Sequence, residues 1–161
     1  MKKWAIILGM AVFMAACGGN NSENKNTSEA AEASEATETT ETGNPSYDPK
    51  RGEGKFTKVD IPAKLNAAMA TTGEKVYGVK CSSCHKTTDE KLVGPGWKGV
   101  TGRHTAEWIM NFATNTDAML DKDPKAQAQL EICLVRMPNQ NLTDEDARSV
   151  YEFMRKNDGV Q

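Results

Sequence analysis

One cluster of residues has a spacing that suits a specific covalent chemistry. Cys81-Ser82-Ser83-Cys84-His85 is a C-x-x-C-H motif. Two thiols three residues apart on a helical turn can each add to one vinyl group of a haem, and the imidazole that follows can reach the iron from the same side. The motif therefore predicts one covalently bound haem c, held by Cys81 and Cys84, with His85 as the proximal ligand of the iron.

Other uses of a C-x-x-C pair fit the surrounding sequence less well. A thioredoxin-like redox pair needs a βαβ context, whereas the segments around the motif have a helical pattern. A zinc site could be assembled from Cys81, Cys84, Cys133 and His104, but this set lacks the second close ligand pair typical of structural zinc sites. Export, which the N-terminus predicts, also favours haem, because haem is attached to such motifs outside the cytoplasm.

The N-terminus has the features of an export signal. Met1–Lys3 is basic, and Trp4–Ala16 is a run of apolar and small residues. This run is too short to span a bilayer, which takes about 20 residues, and it predicts a secretory signal instead. Met14-Ala15-Ala16-Cys17-Gly18 resembles a bacterial lipobox, which implies cleavage before Cys17 and lipidation of its thiol. Ordinary signal cleavage that leaves Cys17 as a free thiol is the alternative.

An acidic segment separates the signal from the rest of the chain. Residues 18–46 contain six Glu, one Lys and no Val, Ile or Leu, so we expect them to remain disordered, because they cannot bury enough apolar surface. Residues 47–161 contain 17 basic and 16 acidic side chains, a balance that gives no indication of a nucleic-acid partner. The predicted organisation is a lipoprotein signal peptide at 1–16, a lipidated acidic linker at 17–58 and a folded domain at 59–161.

The folded domain has helical patterns and no alternation typical of a sheet. Trp108, Ile109 and Phe112 predict a packed helix over 105–114. Asp123-Pro124 predicts a capped helix start, with the helix continuing to about Leu134. The last helix is predicted to begin after Thr143 as N-cap. Its buried stripe is Ala147, Val150, Tyr151 and Met154. This stripe is expected to cross the first helix near Val76, Tyr77 and Gly78.

Residues 65–157 resemble a class I cytochrome c domain. Gly73–Tyr77 is similar to the first helix of that family, Val93-Gly94-Pro95 to the loop after the haem motif, and Gly99–Arg103 to the turn that follows. The resemblance implies a small all-α fold of about four to five helices wrapped around one covalent haem. It also implies that the Pro95 carbonyl accepts a hydrogen bond from His85, and that Arg103 contacts a haem propionate.

The same resemblance implies Met137 as the second axial ligand of the iron. Met137 precedes Pro138 in a loop just before the last helix, which is the position of the distal ligand in this family. Met119 is the main rival, and Met110 lies within a predicted helix, where methionine more often fills a gap. Trp97 and Trp108 are expected to line the haem or its propionates, although a plain core role suits either of them.

Two further residues that could do chemistry are left over. Cys133 has no partner once Cys17 takes lipid and the motif takes haem, and Leu130–Leu134 around it suggests a small buried apolar side chain. A redox-active or ligating thiol is the alternative at this position. His104 follows Arg103 in a turn and is expected to be a surface histidine.

An iron with both axial positions filled predicts a single-electron carrier and not an enzyme. A small haem peroxidase would need a vacant distal site with acid–base groups beside it. A haem-based gas or redox sensor would need Met137 to dissociate readily. The expected setting is a bacterial respiratory chain in the periplasm, with a membrane electron donor, a reductase or oxidase as acceptor and a lipid-anchored, monomeric carrier. Part of the pattern resembles cytochromes of nitrous-oxide respiration.

Basic residues near the haem motif suggest how partners could dock. The cations expected to ring the haem edge are Lys80, Lys86, Lys91, Lys98 and Arg136. Acidic residues cluster in sequence at 117–123 and 144–146, which we expect to lie elsewhere on the surface. The sequence thus predicts a positive docking face, with a solvated rim of lysines as the alternative.

Overall fold

The computed structural model describes residues 47–161, which contain six α-helices and no strand. The helices are α1 (Ala67–Lys80), α2 (Val100–Arg103), α3 (Ala106–Thr114), α4 (Thr116–Lys122), α5 (Pro124–Cys133) and α6 (Asp144–Asn157). The all-α fold class is confirmed. The count exceeds the expected four to five because the short α2 and α4 form separate helices; α2 follows Gly99, whose φ of 72° favours glycine.

The predicted helix starts agree with the structure. Thr143 caps α6 and forms a capping box with Asp146, while the side chain of Asp123 caps α5 with Pro124 in the first turn. Thr105 caps α3 by accepting from the backbone N–H of Trp108. These caps satisfy backbone donors that a helix start leaves without an intrahelical partner.

The first and last helices cross at a glycine. A Cβ atom added at Gly73 would lie 1.9 Å from the carbonyl oxygen of Ser149, so only glycine permits this approach of α1 to α6. The predicted contact near Val76–Gly78 holds for Tyr77, whose ring lies 5.2 Å from that of Phe153 on α6, but the closest approach is about one turn earlier, and a Cβ at Gly78 would meet nothing within 4 Å. The predicted apolar stripe of α6 is buried in the core as expected.

The folded domain begins earlier in the chain than predicted. Residues 47–58 were assigned to the linker, but this stretch lies against the helices. Gly52 packs against Met119, and the backbone N–H of Phe56 donates to the Asn111 side chain at 2.9 Å. This stretch forms no helix of its own, so its few aromatic and apolar residues follow no periodic pattern. Side-chain-to-backbone hydrogen bonds hold it in place instead.

A buried ion pair fixes the next part of this segment to α6. Glu152 is fully buried, and both of its carboxylate oxygens accept from Arg155, at 2.8 and 3.0 Å. Arg155 also donates to the carbonyls of Pro62 and Ala63, and Glu152 accepts from the backbone N–H of Asn66. The charges are thus paired and hydrogen-bonded, as burial requires.

Several predictions concern residues outside this description. The signal peptide, the lipidation site Cys17 and the acidic linker up to residue 46 lie outside the described residues. Within residues 47–161, no helix has the length and apolar composition needed to cross a membrane.

Candidate functional site

The C-x-x-C-H motif forms a tight turn at the end of α1. The N–H groups of Cys81 and Ser82 both donate to the carbonyl of Tyr77, and those of Cys84 and His85 donate to the carbonyl of Cys81. The turn brings both thiols and the imidazole to the wall of one cavity of about 330 Å³. Burial raises the pKa of the Cys81 thiol to about 11.

The ring of His85 is fixed from one side. Its Nδ1 lies 2.9 Å from the carbonyl oxygen of Pro95, which leaves Nε2 for another partner. Burial lowers the pKa of His85, although the bond to Pro95 opposes this shift, so the neutral imidazole that ligates metals is favoured. A Cβ atom at Gly94 would lie 2.3 Å from His85 Cε1, so a glycine is needed where the loop passes the ring.

The two rival methionines have different surroundings. Met137 is half-buried and lines the same cavity as His85. Met119 is fully buried outside the cavity wall, and its sulfur accepts a hydrogen bond of 3.0 Å from the backbone N–H of Glu53. Met110, like Met119, is buried in the core. Of these three thioethers, only that of Met137 is placed on the wall shared with the motif.

Both tryptophans line the cavity, in different surroundings. Trp97 lies 5.6 Å from the His85 ring and 4.9 Å from that of Tyr77, measured between ring centroids. Trp108 donates from Nε1 to Asp123 at 3.0 Å. Arg103 also borders the cavity, with its guanidinium on the carbonyls of Lys98 and Gly96.

Two expectations about leftover residues were wrong. His104 is not a plain surface residue: its ring stacks on Trp108 at 3.9 Å, and its buried Nδ1 has no hydrogen-bond partner. Cys133, expected to be a small buried side chain, is only half-buried and lines the cavity. Among residues 47–161, no three His, Cys, Asp or Glu side chains are close enough to hold a metal ion, so the alternative zinc site does not form there.

Carboxylates pair with two of the cations that were expected around the haem edge. Lys86 pairs with Glu90 at 2.7 Å, and Arg136 pairs with Asp121 at 2.8 Å and with Asp117 at 3.4 Å. Asp117 and Asp121 were expected elsewhere on the surface, but the α4 helix that carries them lies beside the Met137 segment. Two of the five expected cations are therefore paired, whereas Lys80, Lys91 and Lys98 have no carboxylate partner among the described residues.

Exposed apolar side chains also surround the cavity, and we call the surface that they form the rim. The large apolar residues that are most exposed in the described part of the chain are Val79, Leu92, Val93, Ile132, Leu134 and Val135. Each of them lines the cavity or is next in sequence to a residue that does. Leu134 is 84% exposed and has a φ of 59°, a conformation that is unfavourable for a bulky residue.

Comparison with models of known protein families shows to which family this chain belongs. A model of the family described as cytochrome c matches residues 70–158, which is more than half of the chain. The chain belongs to the cytochrome c family. This family binds haem c covalently, and Cys81 and Cys84 in the C-x-x-C-H motif are consistent with that attachment. The protein is therefore a haem-based electron carrier.

Several solved structures of cytochromes c are similar to this chain. A cytochrome c from Rhodothermus marinus is 28% identical, with a TM-score of 0.63 over 65% of this chain and 90% of the other. Engineered cytochromes c from that organism, named Rma TDE, are 27% identical and cover 69% of this chain and 98% of theirs. Their TM-scores are 0.65 for one and 0.62 for another that is bound to a carbene intermediate. The comparison with curated protein sequences gives no match.

The residues present fit covalent haem c. Two thiols lie on one wall of a largely apolar cavity, and the only bond of the His85 ring uses Nδ1, so that Nε2 is left for iron. Gly94 leaves room for this ring. One contact behind the site was not predicted from the sequence: the hydroxyl of Tyr77 donates to the carbonyl of His85 at 2.8 Å, which ties α1 to the motif. The sequence indicated a contact between Tyr77 and the motif only through the short separation of Tyr77 from Cys81 along one helix.

Proposed function

We propose that this cytochrome is a membrane-anchored carrier of single electrons in which His85 and Met137 are the axial ligands of a haem joined to Cys81 and Cys84. The observation that carries the proposal is the placement of all four side chains on one cavity, with the Nδ1 of His85 occupied by Pro95. Bound haem c supplies a one-electron iron couple. Pro95, Arg103, Trp97 and Trp108 support the pocket around it.

Two axial side chains leave no coordination position for a substrate. Electron transfer is then the expected chemistry, and a thioether ligand raises the reduction potential by stabilising the ferrous state. A peroxidase would require an acid–base group at an open position. His104 is the one other histidine of the chain, but it is stacked on Trp108. We therefore propose electron transfer, and not catalysis, as the function of the cytochrome.

The anchor follows from the sequence before residue 47. A lipobox-like signal ending at Cys17 and an acidic segment after it would tether the haem domain to a membrane on the periplasmic side. Such a tether lets one domain meet a membrane donor and a reductase or oxidase acceptor of a respiratory chain. Export also agrees with the family, because haem c is attached outside the cytoplasm.

The rim of the cavity indicates what kind of surface the redox partners present. Exposed apolar side chains concentrate there, while Lys86 and Arg136 are paired with acids of this same chain. An uncharged apolar partner face would bury Leu92, Ile132 and Leu134, which are exposed without lining the cavity itself. We therefore propose that the partner that docks on the rim is a redox protein with an apolar docking face. We also propose that the cytochrome is a monomer when it is not bound to a partner.

Carbon monoxide separates this function from its rivals. The ferrous cytochrome is expected not to bind carbon monoxide at ordinary pressure, because Met137 occupies the sixth position, whereas Met137→Ala is expected to bind it. Rapid binding by the unmodified protein would show an open or labile site and would favour a gas sensor or a peroxidase.

A further inference from the structure

The segment that carries Met137 has little structure of its own. Residues 134–143 lie between α5 and α6, outside any helix. Its internal hydrogen bonds are local: Gln140 donates to the carbonyl of Pro138, and the N–H of Asn141 donates to the Asn139 side chain. Local bonds of this kind do not fix the distance of a segment from another part of the fold, and such segments open at low free-energy cost.

Two lysines connect this region to the haem motif. Lys80 Nζ donates to the carbonyl of Gln140 at 2.9 Å, and Lys91 Nζ donates to that of Ile132 at 2.8 Å. Gln140 is three residues after Met137 and Ile132 is five residues before it. The two bonds therefore bracket the methionine along the chain.

Both lysines start from the part of the chain that holds His85. Lys80 directly precedes Cys81 at the end of α1, and Lys91 forms an isolated backbone bridge with His85. Lys80 therefore spans from the side of the proximal histidine to the Met137 segment, and Lys91 spans from that side to the end of α5, where the segment begins. Arg136, the third cation here, bonds to α4 instead and makes no such connection.

We infer that Lys80 and Lys91 are positioning residues that hold the Met137 segment over the cavity, and so set how readily the thioether leaves the iron. The inference rests on the proposed ligation by Met137. An ammonium group is suited to this role because its long stem can join two separate parts of the chain, and because a bond from a charged donor to a carbonyl is stronger than a neutral one. Neither lysine has a carboxylate partner among the described residues.

The test is imidazole binding to the ferric holoprotein, since imidazole competes with the methionine. Each of Lys80→Gln and Lys91→Gln is expected to raise the imidazole affinity roughly 2- to 10-fold, as expected for loss of one hydrogen bond, and the double variant more than either. The weak near-infrared band from methionine ligation should lose intensity in the same order. Lys→Arg at each position should restore both values, because guanidinium can donate to the same carbonyl.

Lys86→Gln is the matched control. Lys86 lies on the same motif loop and carries the same charge, but it bonds to Glu90 and not to the Met137 segment. If the unmodified protein shows a normal near-infrared band and the double variant has an unchanged imidazole affinity, the inference about the lysines is wrong. The assignment of Met137 as ligand would then still stand. An equal rise in Lys86→Gln would show a general charge effect and would also overturn the inference about the lysines. Absence of the band in the unmodified protein would overturn the ligand assignment itself.

Discussion

The indole Nε1 of Trp108 donates a 3.0 Å hydrogen bond to the carboxylate of Asp123, which has no exposed surface. The same carboxylate accepts from the hydroxyl of Tyr47 and, at 2.7 Å, from the backbone N–H of Ala126. One buried side chain thus joins the beginning of the folded segment, the start of α5 and a wall of the haem cavity. Burial and the nearby Asp123 raise the pKa of Tyr47 above its usual range, so its hydroxyl remains a donor at neutral pH.

The first prediction concerns this carboxylate. Asp123→Ala should destabilise the holoprotein by about 2–4 kcal/mol, because it removes a helix cap and leaves the Trp108 and Tyr47 donors without an acceptor. Denaturant unfolding followed at the haem absorbance measures the change. Asp60→Asn, at an exposed position, is the control and should cost less than about 0.5 kcal/mol. Equal midpoints for both variants would show that the buried network contributes no net stability.

The second prediction separates the two methionines. Met137→Ala should abolish the near-infrared band of the ferric protein while the haem stays covalently attached, because Cys81 and Cys84 are untouched. Met119→Ala should leave this band in place and instead destabilise the fold by about 2–5 kcal/mol, the usual cost of a cavity in a core. The opposite pattern of spectral loss would transfer the ligand role to Met119.

Local signals in the sequence predicted the elements that carry the site. The caps Thr143 and Asp123 and the stripe of α6 follow from side chains within a few residues of one another, and each was found where the pattern placed it. The C-x-x-C-H motif is equally local, because one helical turn fixes its geometry.

Features that depend on distant residues could not be read in this way. The pairing of Arg136 with Asp117 joins positions 19 residues apart, and the fit of Gly52 against Met119 joins positions farther apart still. No periodicity marks such contacts, so neither the pairing of Arg136 nor the packing of Gly52 could be predicted from the sequence. The stacking of His104 on Trp108 was missed for a related reason, since a turn residue is exposed by default unless the fold covers it.

The third prediction uses the buried histidine. Burial lowers the pKa of His104, with the positive charges of Lys125 and Arg103 adding to the effect and Asp123 opposing it. The folded state therefore binds fewer protons than the unfolded state below the ordinary histidine pKa of about 6.5, and stability should fall as the pH decreases through that range. His104→Gln should flatten this dependence, measured as unfolding midpoints between pH 7 and 5. An unchanged slope would mean that other groups dominate it.

The fourth prediction concerns the anchor, which lies outside the described residues. Cys17→Ser should release the protein from membranes and leave its visible spectrum unchanged, because lipid and haem are attached to separate parts of the chain. Fractionation of cells followed by haem staining measures both properties. Met14→Leu, which brings the lipobox-like sequence closer to its usual form, should stay in the membrane fraction. Retention of Cys17→Ser would indicate an uncleaved signal or a tightly bound partner.

The fifth prediction tests the docking rim. The second-order rate of electron transfer to the natural partner should change less than about threefold between low and physiological salt, because Lys86 and Arg136 are paired within the chain and residues 47–161 carry 17 basic against 16 acidic side chains. Leu134→Glu should lower this rate about tenfold or more, because it places a charge in the apolar face, while the haem spectrum stays unchanged. Val160→Glu, away from the cavity wall, is the control. A rate that falls steeply with salt, together with a normal rate for Leu134→Glu, would restore the electrostatic docking face that the lysines of the motif first suggested.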